Sequence, residues 1–178
     1  MRRLMSLLVL AAVAAVSGCG RPSAPVVLLK NDHFTQGGVS MEPAVKAGQM
    51  ISVAPVAKTY QPTRGDIVVF HAPSDKWGPD LTLPYLKRVI AVGGETISCC
   101  DVQGRVSISG TGLDEPYVAH NSPLATPPQP GNCASRRFDA VKVPEGSIFV
   151  MGDNRAASTD SRCAGLLPLT SVFGIMVG

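Results

Sequence analysis

Leu-Pro-Tyr-Leu-Lys-Arg-Val-Ile-Ala-Val-Gly-Gly, residues 83–94, is the stretch on which the fold turns. Apolar and β-branched residues crowd between Pro84 and the Gly93–Gly94 pair, the pattern of a mostly buried strand. Successive side chains of a strand face opposite ways, so Lys87 and Arg88 lie on opposite faces. A lysine in such a run is either a gatekeeper that keeps an edge strand from pairing or an amine withdrawn from water. Outward from this strand the same signal recurs. Residues 49–55 alternate loosely, 66–71 and 147–151 read as buried strands, and 172–177 closes the chain as another. Shorter strands are expected over 95–99 and 105–109. The chain holds 18 glycines and 15 prolines, and no long amphipathic helix. Strands punctuated in this way predict an all-β or nearly all-β fold.

A second stretch is Gly-Gly-Val-Ser-Met-Glu-Pro, residues 37–43. Gly37 and Gly38 open backbone conformations closed to other residues, and Pro43 prevents a helix that begins earlier from running through. Ser40 therefore sits on a fixed, exposed corner. By itself that describes an ordinary turn serine; an activating partner would make it a nucleophile. The loop 72–84 carries the only tryptophan, Trp77, as core packing or as part of a membrane-facing surface.

Four groups of residues occur in order: Ser40-Met41-Glu42-Pro43; Arg64-Gly65-Asp66-Ile67-Val68-Val69-Phe70; Tyr85 to Glu95; and Met151-Gly152-Asp153-Asn154-Arg155 with Ser158, Asp160-Ser161-Arg162 and Gly165. They resemble the successive boxes of the bacterial type I signal peptidases, over roughly residues 37–174. The resemblance implies a mainly β, antiparallel catalytic fold with a smaller inserted β lobe. It places the catalytic core at 37–94 and 144–178 and the inserted lobe, with a Pro-rich surface loop over 121–132, at 95–143.

The resemblance also implies a Ser–Lys dyad of Ser40 and Lys87, with Ser158 bonding and orienting the amine. At an ordinary lysine pKa of ~10.4 only about one amine in 2,500 is neutral at pH 7, so a lysine base must be shifted to roughly 7–8. The apolar neighbours of Lys87, such as Leu86 and Val89, suit that shift. The Arg88–Asp153 and Asp160–Arg162 pairs are implied as braces beneath the dyad, with Arg155 also a support. The substrate and oxyanion region falls at Gly38, Val39 and Met41, and residues 37–41 form a candidate sheet edge for an extended peptide. Two departures stand out. Gly38 lies where some relatives carry a serine hydroxyl that serves the oxyanion, so a second donor beside the Ser40 N–H must come from elsewhere. Ala157 lies where many relatives carry asparagine. The implied substrate is an exported preprotein with small residues at −1 and −3, Ala-x-Ala in type.

Residues 1–18 read as a secretion signal: Arg2 and Arg3, an apolar run over 4–16, then small residues. Val16-Ser17-Gly18-Cys19 resembles a lipobox, which would place a lipid anchor on Cys19; an uncleaved N-terminal anchor is the other reading. Either sets the catalytic part on the outer face of the bacterial cytoplasmic membrane, behind a tether over 19–36 in which residues 26–29 form a brief apolar run. Without Arg2 and Arg3 the formal charge falls from +3 to +1, and no basic patch calls for nucleic acid. The expected partners are signal peptides and membrane lipid, for a monomer with no cofactor and no metal. Cys99, Cys100, Cys133 and Cys163 are expected to form structural disulfides, zinc lacking the usual ligand spacing. A bond between the adjacent Cys99 and Cys100 is disfavoured, because neighbouring strand side chains diverge. A bond from Cys163 could pin the base of the site to the inserted lobe. His33, His71 and His120 have no spaced partners. Two alternatives remain beside general signal-peptide removal: a dedicated maturation peptidase of a conjugation or pilus system, and a catalytically silent surface lipoprotein.

Overall fold

The computed structural model describes residues 32–178, so the secretion signal, Cys19 and the 26–29 run lie outside the described residues. Strands dominate. In chain order they are β1 (Asp32–Thr35), β2 (Met50–Pro55), β3 (Ile67–His71), β4 (Pro84–Ala91), β5 (Thr96–Cys99), β6 (Val106–Ile108), β7 (Thr111–Gly112), β8 (Phe138–Lys142) and β9 (Ser147–Met151). A single helical turn, α1 (Ser161–Ala164), then leads to β10 (Leu167–Pro168) and β11 (Val172–Val177). The pairings are antiparallel and make a seven-stranded sheet, β1-β2-β11-β3-β4-β9-β10, and a four-stranded one, β7-β6-β5-β8.

β4 lies between β3 and β9, near the middle of the large sheet. Lys87 is therefore no edge gatekeeper; it pairs with Val68 of β3 and is 4% exposed. Three apolar clusters hold the molecule together. Met41 and Val45, both wholly buried, pack with Ile51, Val53, Val69 and Leu86. Val68, Phe70, Val89 and Val150 form a second cluster, which takes in Trp77. Trp77 meets Phe70 edge-on at 5.2 Å between ring centroids, so the tryptophan of the 72–84 loop is core packing. The third cluster joins the two sheets, Ile90, Phe149 and Met151 of the large one meeting Ile97, Ile108 and Phe138 of the small one.

Several elements differ from the sequence reading. The tether assigned to 19–36 ends in a strand: β1 is the edge of the large sheet, paired with β2 from Asp32↔Val53 to Thr35↔Met50. Residues 37–41, expected as a sheet edge, instead enter a turn, in which Glu42 N–H donates to Val39 O and Val45 N–H to Met41 O. The Gly37–Gly38 pair breaks the strand just before it could extend. Cys99 and Cys100 are bonded to each other, against expectation. The peptide between them is cis, and their Cα atoms lie 2.9 Å apart. Cys133 and Cys163 are bonded across 30 residues, joining the 121–137 loop to α1. No helix among the described residues is long and apolar enough to cross a membrane.

Candidate active site

Ser40 rides on a turn fixed from both sides. Beneath it, Met41 and Val45 are anchored in the core. Beside it, Asn154 donates its backbone N–H to Ser40 O at 3.0 Å and its side-chain amide to Val39 O at 3.3 Å. The close approach demands glycine at 152, since a Cβ there would lie 2.5 Å from Ser40 O and also strike Ser158 Oγ. The turn and the strand end of β9 are thus sewn together through backbone atoms.

Lys87 reaches this turn from β4. Its Nζ lies 3.0 Å from Ser40 Oγ and 3.0 Å from Leu86 O. Burial lowers the pKa of the amine to about 8, from an ordinary value of 10.5. The carboxylates of Asp160 and Asp153 pull the other way, and Arg162 adds to the lowering. Desolvation wins because no carboxylate pairs with Lys87; Asp153 and Asp160 are occupied by arginines.

In those pairs both carboxylates are buried, Arg162 nearly so and Arg88 partly. Asp153 takes both arms of Arg88, Nε at 2.8 Å and Nη2 at 2.6 Å, while Arg88 Nη1 donates to Gly65 O. Burial opposes the charge of Arg88, and the bond to Asp153 outweighs it and holds its pKa above the ordinary value. Asp160 caps α1 by accepting from Arg162 N–H and is also gripped by Arg162 Nε at 2.8 Å and Nη2 at 2.9 Å. Burial would raise the Asp160 carboxyl; Arg162 and the Gly152 N–H more than offset it, and its pKa lies below the ordinary value. Arg162 further donates to Ser122 Oγ and Arg155 O.

Ser158 Oγ is buried beside Gly152, and the hydrogen bonds of Lys87 Nζ go to Ser40 Oγ and Leu86 O. Met41 offers no side chain to a substrate, being 0% exposed, whereas Val39 is exposed and Gly38 lies open beside it. A cleft of about 720 Å³ lined by Val56, Tyr60, Val92 and Leu169 lies elsewhere and touches neither Ser40 nor Lys87. Sequence reasoning missed Glu115 and Tyr117, which reach Arg155 and Arg88 from the segment after β7. The only signal available was an acid and an aromatic two residues apart in a polar stretch.

Comparison with known proteins places the chain in a family. The family model for "Signal peptidase, peptidase S26" matches residues 1–177. The chain belongs to the signal peptidase S26 family. It is 38% identical over 138 residues to a probable signal peptidase I-1 of Synechocystis sp., covering 76% of this chain and 63% of that one. It is 36% identical over 126 residues to a signal peptidase I of Bacillus licheniformis, covering 70% and 62%. The chain thus spans a little over three fifths of the length of these two relatives. A crystal structure of a signal peptidase I from Enterococcus faecalis V583 aligns with a TM-score of 0.49 at 29% identity, covering 66% of this chain and 98% of that one.

Proposed function

We propose that this family member is a serine endopeptidase that removes signal peptides from exported preproteins, with Ser40 as nucleophile and Lys87 as general base. The observation that carries the reading is the 3.0 Å contact between Ser40 Oγ and a lysine amine whose burial lowers its pKa to about 8. At pH 7 about one such amine in ten is neutral, against about one in 2,500 for a free lysine. The neutral Nζ takes the Ser40 proton as Oγ attacks the scissile carbonyl, and returns it to the leaving amine. A water deprotonated by the same Nζ then releases the acyl group from Ser40. The Ser40 backbone N–H stabilises the oxyanion with a second donor, which Gly38 cannot supply from a side chain.

Substrates are preproteins with small residues at −1 and −3, and the protein works at the outer face of the membrane, held by lipid at Cys19 or by its N-terminal segment. Tethering raises the local concentration of membrane-bound substrate, which matters because a pocket gains only ~1–3 kcal/mol per methylene of discrimination. The test is cleavage of a preprotein bearing an Ala-x-Ala site, in detergent or lipid, with sequencing of the new N-terminus. Wild type cutting after Ala-x-Ala, with Ser40→Ala and Lys87→Ala each slower by at least ~10³-fold, is the expected result. A folded wild type that leaves the site intact would contradict it.

A further inference from the structure

Arg155 is the largest wholly buried side chain among the described residues, and its charge is met from outside the large sheet. Its Nη1 lies 3.2 Å from Glu115 Oε2, and its Nη2 pairs with Glu115 Oε1. Its Nε donates to Gly152 O at 3.1 Å. The same Glu115 Oε1 accepts from the Tyr117 hydroxyl at 2.9 Å, and the Tyr117 ring lies 4.3 Å beneath the Arg88 guanidinium. Glu115 thus holds Arg155, and Tyr117 lies against Arg88, the arginine that grips Asp153. One arginine lies next to Lys87 in β4. The other holds the Gly152–Arg155 backbone, which carries the N–H bonded to Ser40 O. The segment bearing them leaves β7 with Leu113 N–H bonded to Val106 O, so it is rooted in the small sheet.

We propose that Glu115 and Tyr117 are positioning residues for the Ser40–Lys87 pair, a clasp by which the inserted lobe holds the Lys87 strand and the Ser40 turn in one register. The inference rests on the dyad reading. Neither residue touches the reacting atoms. Their effect passes through Arg88 and Arg155, and a buried guanidinium that loses its carboxylate is left uncompensated. The charged groups around Lys87 are Asp153 beyond β9, Asp160 and Arg162 at α1, and Arg88 on its own strand. Neutralising Glu115 leaves one more positive charge unbalanced close to this set, at Arg155. That disfavours the ammonium form of Lys87 and moves the acidic limb of the pH–rate profile to lower pH. The position of that limb does not depend on how much enzyme is active, so partial unfolding cannot imitate the change.

The experiment measures kcat, KM and the pH profile for cleavage of an Ala-x-Ala preprotein by the full chain in detergent. The variants are Glu115→Gln, Glu115→Asp, Tyr117→Phe and Ser40→Ala, with Val102→Ser at a 95% exposed position as a control. Glu115→Gln is expected to lower kcat about tenfold, keep KM within about twofold and displace the acidic limb downward by about half a pH unit. Glu115→Asp keeps the charge and restores the wild-type limb. Tyr117→Phe removes only the bond to Glu115 and lowers kcat about twofold to threefold, which decides the matter should Glu115→Gln not fold. Wild-type kcat and limb in Glu115→Gln, a loss of kcat with the limb unmoved, or an unchanged Tyr117→Phe would overturn the clasp. Cleavage by Ser40→Ala would instead overturn the dyad reading.

Discussion

Replacing Lys87 with methionine should inactivate the protein and make it more stable at neutral pH. The amine titrates at about 8 in the fold against an ordinary 10.5. At about 1.4 kcal/mol per tenfold change in proton affinity, holding a charged Lys87 in its buried site at pH 7 costs about 3 kcal/mol. Methionine has a similar length and carries no charge. It forgoes the contacts to Ser40 Oγ and Leu86 O, each 3.0 Å long. Their loss offsets the gain by about 1 kcal/mol or somewhat more, leaving Lys87→Met about 1–2 kcal/mol more stable at pH 7. The sign with pH follows from the direction of the shift. A lysine whose folded pKa is depressed binds fewer protons folded than unfolded between about 8 and 10.5. Wild-type stability therefore rises with pH across that window, and the advantage of Lys87→Met shrinks and then reverses. Denaturant midpoints of both proteins, disulfides intact, at neutral pH and near pH 10 measure the difference directly. A Lys87→Met protein less stable than wild type at pH 7, or an advantage that does not change with pH, would refute the reasoning.

Other consequences follow from the same geometry. Cleavage should gain about tenfold in kcat/KM for each pH unit up to about 8, because the neutral amine is the reactive form; a level profile across that range would contradict a lysine base. Gly152→Ala should lose most activity, since its Cβ would lie 2.5 Å from Ser40 O and push the turn away; near-normal kcat would show the contact to be dispensable. Removing the Cys133–Cys163 bond, which closes 30 residues, should lower stability by about 3–4 kcal/mol from loop closure, read from the unfolding midpoint of the Cys133→Ser, Cys163→Ser protein.

What could be read from the chain depended on how apolar each element is. β3, β4 and β9 are dense in buried apolar residues, and their spans stand out in the sequence. β1 has one partly buried residue, Phe34, in Asp-His-Phe-Thr, and β8 is largely exposed. Pairing with a neighbour makes these strands, and no local pattern marks it. The nearness of Ser40 and Lys87, 47 residues apart, is a product of topology; at the level of sequence it rested on resemblance alone. The Lys87 environment was partly visible in Leu86 and Val89, but the opposing carboxylates became apparent only with Asp153 and Asp160 in place. Glu115 and Tyr117 escaped notice because a polar stretch looks like surface until its partners, Arg155 and Arg88, are seen to be buried or half-buried.

The central claim is that Ser40 forms the covalent intermediate and Lys87 enables it. The most direct test is rapid acid quench of wild type with a peptide ester spanning an Ala-x-Ala site, followed by intact and peptide-level mass measurement. The account predicts one acyl group, on the peptide containing Ser40, and none in Lys87→Ala under the same conditions. An acyl group on another residue, or turnover by Ser40→Ala at the wild-type rate, would contradict it.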